Sequence, residues 1–383
     1  MTMGDLIAVL AFVAGLAACL AIVQSAVAMV VVPRATSVLL PRVVFRAVLR
    51  LFRLRTARVR SWAQREQAFS HFAPTGLLSV AVVWLLVVLA GYTAMYWGLG
   101  VRPLRAAFTL SGSSLFTLGF AAPHDLPTSL LAFTEAGLGL LLLALLITYL
   151  PTMYAAFSRR ETLVAELDVR AGVPPSAAEM LARFHVIQGL ERLEPMWRAW
   201  ERWFVELEET HTSFQAIALF RSPLPHRSWV TAAGAVLDAA SFTVSTLDRP
   251  AGPDPQLCIR AGYLALRRIA AGFNIAFDPD PAPDAPISVT RGEYDQVYDR
   301  LAELGLPLKA DRDQAWRDFA GWRVNYDTVL LALAGLTMAP YAPWSSDRSS
   351  YRRPPLRRRR AREEQAAPRS RLLERGRRDR TRG

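Results

Sequence analysis

The sequence predicts an all-α membrane protein: three transmembrane helices, a re-entrant loop between the second and third, a helical cytoplasmic domain and a disordered basic tail. Three observations carry that expectation. Of 383 residues, 52% are apolar and the mean hydropathy is +0.19, with the apolar residues crowded into the first 157 positions. Three apolar runs in that part each reach the roughly 20 residues that a bilayer-spanning helix needs. Between the second and third lies a broken segment, Trp97 to Leu130. It is too polar to be another span, and around Leu104 to Leu118 it is too apolar for an ordinary external loop.

Leu6 to Val32 is the first run, 27 residues with only Gln24 and Ser25 clearly polar. A signal peptide competes for this stretch, because Ser25 to Ala28 resembles a cleavage site. Asp5 and the lack of Lys or Arg ahead of the run argue against it, since a signal peptide opens with positive charge. A retained helix is expected. The following stretch holds Arg34, Arg42, Arg46, Arg50, Arg53, Arg55, Arg58, Arg60 and Arg65. Arg42, Arg46, Arg50 and Arg53 share one helical face beside Phe45, Val48, Leu49 and Phe52, the pattern of a basic amphipathic helix on a membrane surface. Anionic lipid is its expected partner. A voltage sensor is disfavoured, because it needs Arg at every third position inside a span.

The second run, Leu77 to Trp97, ends in Tyr92, Tyr96 and Trp97, residue types that suit a membrane–water interface. The third, Leu130 to Leu150, ends at Pro151 and is followed by Arg159 and Arg160. Positive charge marks the cytoplasmic side. The Arg34–Arg65 stretch and the Arg159 side are therefore both assigned inside, the N-terminus and residues 98–129 outside. The expected units are 1–33 (first span), 34–76 (basic amphipathic segment), 77–158 (helix, loop, helix), 159–346 (helical domain) and 347–383 (tail).

Helical spacing recurs in the soluble part at Glu161 to Arg170, Ser176 to Gln215, Ser228 to Thr246, Pro255 to Phe273, Thr290 to Leu304 and Asp311 to Met338. Breaks fall at Pro174–Pro175, Pro223–Pro225 and Asp278–Pro286. From Asp347 onward Arg, Pro, Ser and Glu dominate without apolar periodicity, which predicts disorder. From Arg348 on, fifteen Arg face four acids, a net of +11 out of the chain's +12. The basicity thus belongs to a tail, nucleic acid is not the expected partner, and the inner leaflet is the nearer anion.

Candidate chemistry in the soluble part is sparse. His71, His124, His185, His211 and His226 are scattered; Glu208 and His211 have Glu-x-x-His spacing without the second pair a di-iron bundle needs. Cys19 and Cys258 suggest neither a disulfide framework nor a metal site. Trp197, Trp200 and Trp203 recur on one face, as a core or an oligomer interface does. Neither an enzyme nor a cofactor is expected.

The broken segment holds the informative residues. Leu104 to Leu115 is long enough for about three turns. If it enters from outside, the negative end of its dipole points toward the membrane centre and favours a cation there. Thr117, Leu118, Gly119, Phe120 and Ala121 then return outward, with Gly119 suited to a backbone conformation closed to other residues. Four copies about an axis present rings of carbonyls that replace an ion's hydration shell. Glu135 is the one acid in the third span, which marks it as a functional candidate. Two readings fit it: ion contact, or bracing of the loop by hydroxyls such as Ser113 or Ser114. Gly137 and Gly139 fit either a gating hinge or close helix packing.

The segment resembles the pore of prokaryotic two-transmembrane potassium channels, whose filter reads Thr-Val-Gly-Tyr-Gly after a Thr/Ser-rich helix end. Ser114 to Thr117 matches that end, and Thr117, Leu118, Gly119 and Phe120 match the first four filter positions conservatively. Glu135, Ala136 and Gly139 are similar to a Glu-Ala-x-x-Gly run in the family's inner helix. The resemblance covers about residues 77–158. It implies a selectivity filter at Thr117–Ala121, a pore-helix end at Ser113 and Ser114, an inner helix carrying Glu135, Gly137 and Gly139, a homotetramer, a bacterial inner-membrane location, and potassium or another monovalent cation as the conducted ion. The chain departs at Ala121, where the family has a second glycine, and at Ala122, where it has an acid. If position 121 takes a left-handed backbone, Ala costs about 1–2 kcal/mol there. The alternative is a non-conducting membrane anchor with a degenerate pore fold and a partner-binding cytoplasmic domain.

Overall fold

The computed structural model describes residues 3–30, 39–56, 68–69, 71–187, 189–250 and 252–348. The expected tail from 349 on, and Arg34, Arg58, Arg60 and Arg65, lie outside these. Among the described residues the structure is helical, without strands; Leu247 and Leu308 form an isolated bridge. Three helices are long and apolar enough to cross a membrane: α1 (Met3–Val30), α3 (Phe72–Gly98) and α5 (Leu126–Ala171). The surface helix α2 (Leu39–Thr56) precedes α3, and the short α4 (Leu104–Leu115) follows it.

Small residues bring α1 and α3 together in antiparallel contact. A side chain on Gly15 would collide with the Gly91 carbonyl, and one on Gly91 would lie 2.7 Å from the Cys19 sulfur. Such contacts let helix backbones approach closely in an apolar phase, where the hydrophobic effect does not drive helix pairing. The Trp84 indole donates to Ser25 Oγ at 3.2 Å, so the polar break in the first run is satisfied by the second. Helix α2 sets Phe45 and Phe52 against Phe72, ring centroids 6.1 and 5.8 Å apart. Part of its apolar face is therefore covered by protein, while Val43, Leu51 and Leu54 remain exposed.

Tyr92 and Tyr96 depart from the interface pattern. Both are buried and turn toward α5. Only Trp97 keeps an edge position, with the Arg102 guanidinium 3.5 Å above its ring.

Helix α5 has 46 residues, about 69 Å at 1.5 Å per residue, more than twice the roughly 30 Å of a hydrocarbon core. It starts with a capping box: the Thr128 amide donates to Asp125 Oδ1 at 2.9 Å, and the Asp125 amide to Thr128 Oγ1 at 3.4 Å. The sequence places its end at Pro151, yet the helix runs on to Ala171, so position 158 falls in mid-helix. A proline removes one backbone bond, and the turns beyond it are held by packing. Arg160, 4% exposed, donates to the carbonyls of Ile217 and Phe220 at 3.0 and 2.9 Å and to the Glu161 carboxylate at 2.7 Å. The Trp203 indole donates to the Arg160 carbonyl at 3.1 Å.

The extension of α5 joins a bundle of α6 (Ala177–Val186), α7 (Leu193–Ser213), α8 (Trp229–Ser245), α9 (Asp254–Gly272), α10 (Arg291–Glu303), α11 (Arg312–Arg323) and α12 (Asp327–Leu336). Two helical stretches of the sequence are each divided, one between α6 and α7 near Gly189, the other between α11 and α12. At the latter break Arg323 is fully buried and bonded to Asp238, to Asp327 (2.9 Å), and to the Trp344 carbonyl (2.5 Å). Helix α8 is the axis of the bundle. It is buried almost throughout, and its alanines and Gly234 admit close neighbours. Trp197, Trp200 and Trp203 belong to this core.

His211 completes the Arg160 joint. A guanidinium can only donate, so the 3.2 Å contact to His211 Nε2 leaves the imidazole proton on Nδ1, 3.0 Å from Thr210 Oγ1. Burial first, then the Arg160 charge, holds the His211 pKa well below its usual value. The unfolded chain therefore binds a proton the folded one refuses. The joint's contribution is intact above about pH 6.5 and is lost as pH falls below it. Thermal melts of the purified protein should shift down on acidification in that range, and His211→Gln should flatten the dependence. Equal slopes for both proteins would remove His211 from this role.

Candidate functional site

Helix α4 lies between α3 and α5, and its depth can be read along both. Ser111 Oγ is 3.1 Å from the Leu89 carbonyl, nine residues before the end of α3, and 2.5 Å from Glu135 Oε1, nine residues into α5. Nine residues correspond to about 14 Å. The last residue of α4, Leu115, meets Gly139, where a side chain would strike the Leu115 carbonyl; that point is about 20 Å along α5. Gly139 thus serves close packing. Gly137 is exposed and faces open space.

Glu135 is completely buried. Ser111 Oγ donates to its Oε1 at 2.5 Å and the Tyr96 hydroxyl to its Oε2 at 3.1 Å. Tyr92, one turn before Tyr96, donates to Thr134 at 3.1 Å. The carboxyl therefore ties α3, α4 and α5 at one point. The bracing hydroxyl is Ser111, not Ser113 or Ser114: Ser113 points into the return segment, and Ser114 reaches the cluster through the Tyr96 hydroxyl. The i,i+4 spacing of Tyr92 and Tyr96, which sets both hydroxyls on one face of α3, is the signal that identifies this partner.

The segment after α4 begins with a Schellman turn. The Leu118 amide donates to the Ser113 carbonyl at 2.8 Å and the Thr117 amide to the Ser114 carbonyl at 3.0 Å. Thr117 holds the left-handed position with φ +54°, where glycine is the usual residue and a β-branched one is an outlier. Gly119 has φ +74°. Ala121 is not left-handed, so the strain conditional on that geometry does not arise there. Ser113 Oγ instead accepts from the Ala121 amide at 3.0 Å and donates to its carbonyl at 3.3 Å. Thr117 to Phe120 are exposed, with Leu118 at 62% and Phe120 at 67%.

The site therefore brings together Thr117, Leu118, Gly119, Phe120 and Ala121 with Ser113 and Ser114 at the end of α4, and sets Glu135 and Gly139 behind them. Among the described residues no group of three His, Cys, Asp or Glu is placed to hold a metal ion. Glu208 pairs with Arg268, and His211 belongs to the Arg160 joint. Comparisons with protein-family models, characterised proteins and solved structures return no match to this chain.

Ser111→Ala strips a buried partner from Glu135 and should lower stability by about 1–3 kcal/mol. Thr109→Ala removes a hydroxyl that bonds only within its own helix and should stay within about 0.5 kcal/mol. Denaturant titration in micelles compares the two; equal losses would show that the Glu135 cluster is not what seats α4.

Proposed function

We propose that the chain is one subunit of a cation-conducting pore of potassium type, in which α4 is a re-entrant helix and residues 117–121 return toward the side it entered from. The observation that carries this reading is the exposed, non-helical return segment held about 14–20 Å along two apolar helices. Backbone of that kind is tolerated at membrane depth only where protein buries it or where it lines a water-filled cavity. One chain covers neither Leu118 nor Phe120. Further copies around an axis, four on the potassium-type reading, would cover these side chains and turn carbonyls toward shared water. Glu135 is then a brace rather than an ion contact, since it is fully buried and its oxygens accept from Ser111 and Tyr96. On this reading the N-terminus and the loop lie outside and the α6–α12 bundle in the cytoplasm, in keeping with the Arg-rich flanks, and the membrane is the bacterial inner membrane that the resemblance implies.

A second reading, a non-conducting anchor, is favoured by one observation. The Ala121 carbonyl is bonded back to Ser113 of its own chain, which withdraws an oxygen from any outer ring.

Purified protein in liposomes should pass potassium or rubidium tracer. A Cβ added at Gly119 meets no neighbour within 4 Å, so Gly119→Val acts chiefly through the backbone, forcing a β-branched residue into a positive-φ position at a cost of about 1–2 kcal/mol or more. Its flux should vanish while its melting falls only by the few degrees that this strain implies. No wild-type flux under any voltage, pH or lipid composition, or a monomeric detergent-corrected mass, would leave the anchor reading.

A further inference from the structure

Where α1 ends and α3 begins, the apolar helices and the bundle border a cavity of about 330 Å³. That is within the size range of ligand pockets. Its lining is apolar on both sides. Met29, Phe45 and Phe72 come from α1, α2 and α3, and Phe214, Phe273 and Leu336 from the bundle. The bundle residues stand at the C-terminal ends of α7, α9 and α12. Such ends carry partial negative charge, which disfavours an anion. The two arginines of the lining do not reverse this. Arg221 is engaged by the carbonyls of Thr337 and Met338, at 3.3 and 3.5 Å, and lies over the Phe69 ring. Arg46 is exposed on α2. A cationic ligand would in turn meet both arginines.

Two neutral polar groups of the lining lack a partner. Tyr149 is 6% exposed, and its hydroxyl makes no hydrogen bond among the described residues. A buried tyrosine hydroxyl ordinarily finds one. The side-chain amide of Gln215, half-buried, is likewise unbonded among them. Tyr149 lies 23 residues into α5, about 35 Å along it, a distance at which a hydrocarbon core of roughly 30 Å gives way to the interface.

We infer that this cavity binds one uncharged single-chain amphiphile, an alkyl chain ending in a hydroxyl group. The chain lies among Phe45, Phe72, Phe214 and Phe273, and the hydroxyl meets Tyr149 and Gln215. An apolar cavity of about 150 Å³ holds benzene, so 330 Å³ suits a ligand of about a dozen heavy atoms. A plain hydrocarbon would leave both polar groups unpartnered, whereas a hydroxyl can donate to one and accept from the other. The turn Gln215–Leu219 also presents the Ile217 carbonyl to Arg160 of α5. An occupied cavity therefore fastens α2 and α3 to the joint that fixes the α5 extension. The inference does not depend on conduction.

The test uses the full-length protein in lipid nanodiscs and a decanol that carries a diazirine in its chain, with cross-linked residues mapped by peptide mass spectrometry. Label should fall on residues of the cavity, and unlabelled decanol should displace it. Decane, decanoate and decylamine should each displace it about fivefold more weakly or worse. Tyr149→Phe removes only the unpartnered hydroxyl. It should weaken decanol about fivefold, while the ligand-free protein melts no lower than wild type. Tyr154→Phe, on the same helix but 69% exposed, should change neither. Ala216→Trp, which fills the cavity, should abolish labelling there, with its melting curve checked against wild type; should it fail to fold, the two tyrosine variants decide. Label confined to the exposed faces of α1 and α5, or full cavity labelling of a folded Ala216→Trp, would overturn the site in favour of partition into the bilayer. Equal displacement by decane would overturn the hydroxyl contact, and equal displacement by decanoate the uncharged head. Equal weakening by Tyr154→Phe would remove Tyr149 from the site.

Discussion

The Glu135 carboxyl is the interaction on which the membrane part depends. A carboxyl removed from water is costly unless its oxygens find donors, and here both do, from two different helices. Those bonds solve a problem that α4 has on its own. A 12-residue helix is marginal in isolation, and α4 has no second half to anchor it. It stays between α3 and α5 because Ser111 meets Glu135 and because Gly139 lets the Leu115 backbone come close. The turn that follows inherits its position from these two contacts, one polar and one steric.

The same helix that carries Glu135 carries Arg160, 25 residues on, about 38 Å away. Each end of α5 is thus pinned by a buried ionisable side chain, the first to α3 and α4, the second to carbonyls of the bundle. Between them sits Pro151, the one place where a helix hydrogen bond must be missing. Any bend between the brace and the joint should concentrate there, since kinks in helices fall at proline.

What could be read from the amino-acid order follows from the range of the forces involved. The three apolar helices are long-window signals, and hydropathy locates each; α2 and α4 carry their own periodicity. The continuity of α5 through Pro151 could not be read, although helical spacing was legible from Glu161 to Arg170, because Pro151 is a local stop signal and the Arg160 contacts that override it come from residues some 50 to 60 positions away. The exclusion of Ser113 as the brace is the same kind of failure on a smaller scale. Helical spacing puts Ser111 and Ser114 on one side of α4, but only the packing of α3 shows that this side faces Glu135. Tyr96 was hidden by its type, since a tyrosine near the end of a span fits an interface as well as it fits a buried bond. The Arg323 cluster and the cavity of about 330 Å³ lined by α1, α2, α3 and the bundle leave no local trace, being assembled from segments far apart in the chain.

Thr117 bears most directly on what the loop is for. A Schellman turn is best served by glycine at this position, and threonine costs about 1–2 kcal/mol in a left-handed backbone. An anchor gains nothing from that cost, whereas a hydroxyl at the end of α4, where the helix dipole is negative, adds an oxygen ligand where a cation is favoured. Strain of this kind is a reason to suspect function rather than evidence of it, and it points at the inner half of the loop. The outer half argues the other way, because Ser113 satisfies both the amide and the carbonyl of Ala121 within one chain. On the proposed reading, the coordinating oxygens are confined to the stretch from Thr117 to Phe120. Selectivity rises with the number of coordinating dipoles an ion meets in one account of such filters. A pore built on this loop should therefore discriminate among monovalent cations less sharply than one lined to its outer mouth.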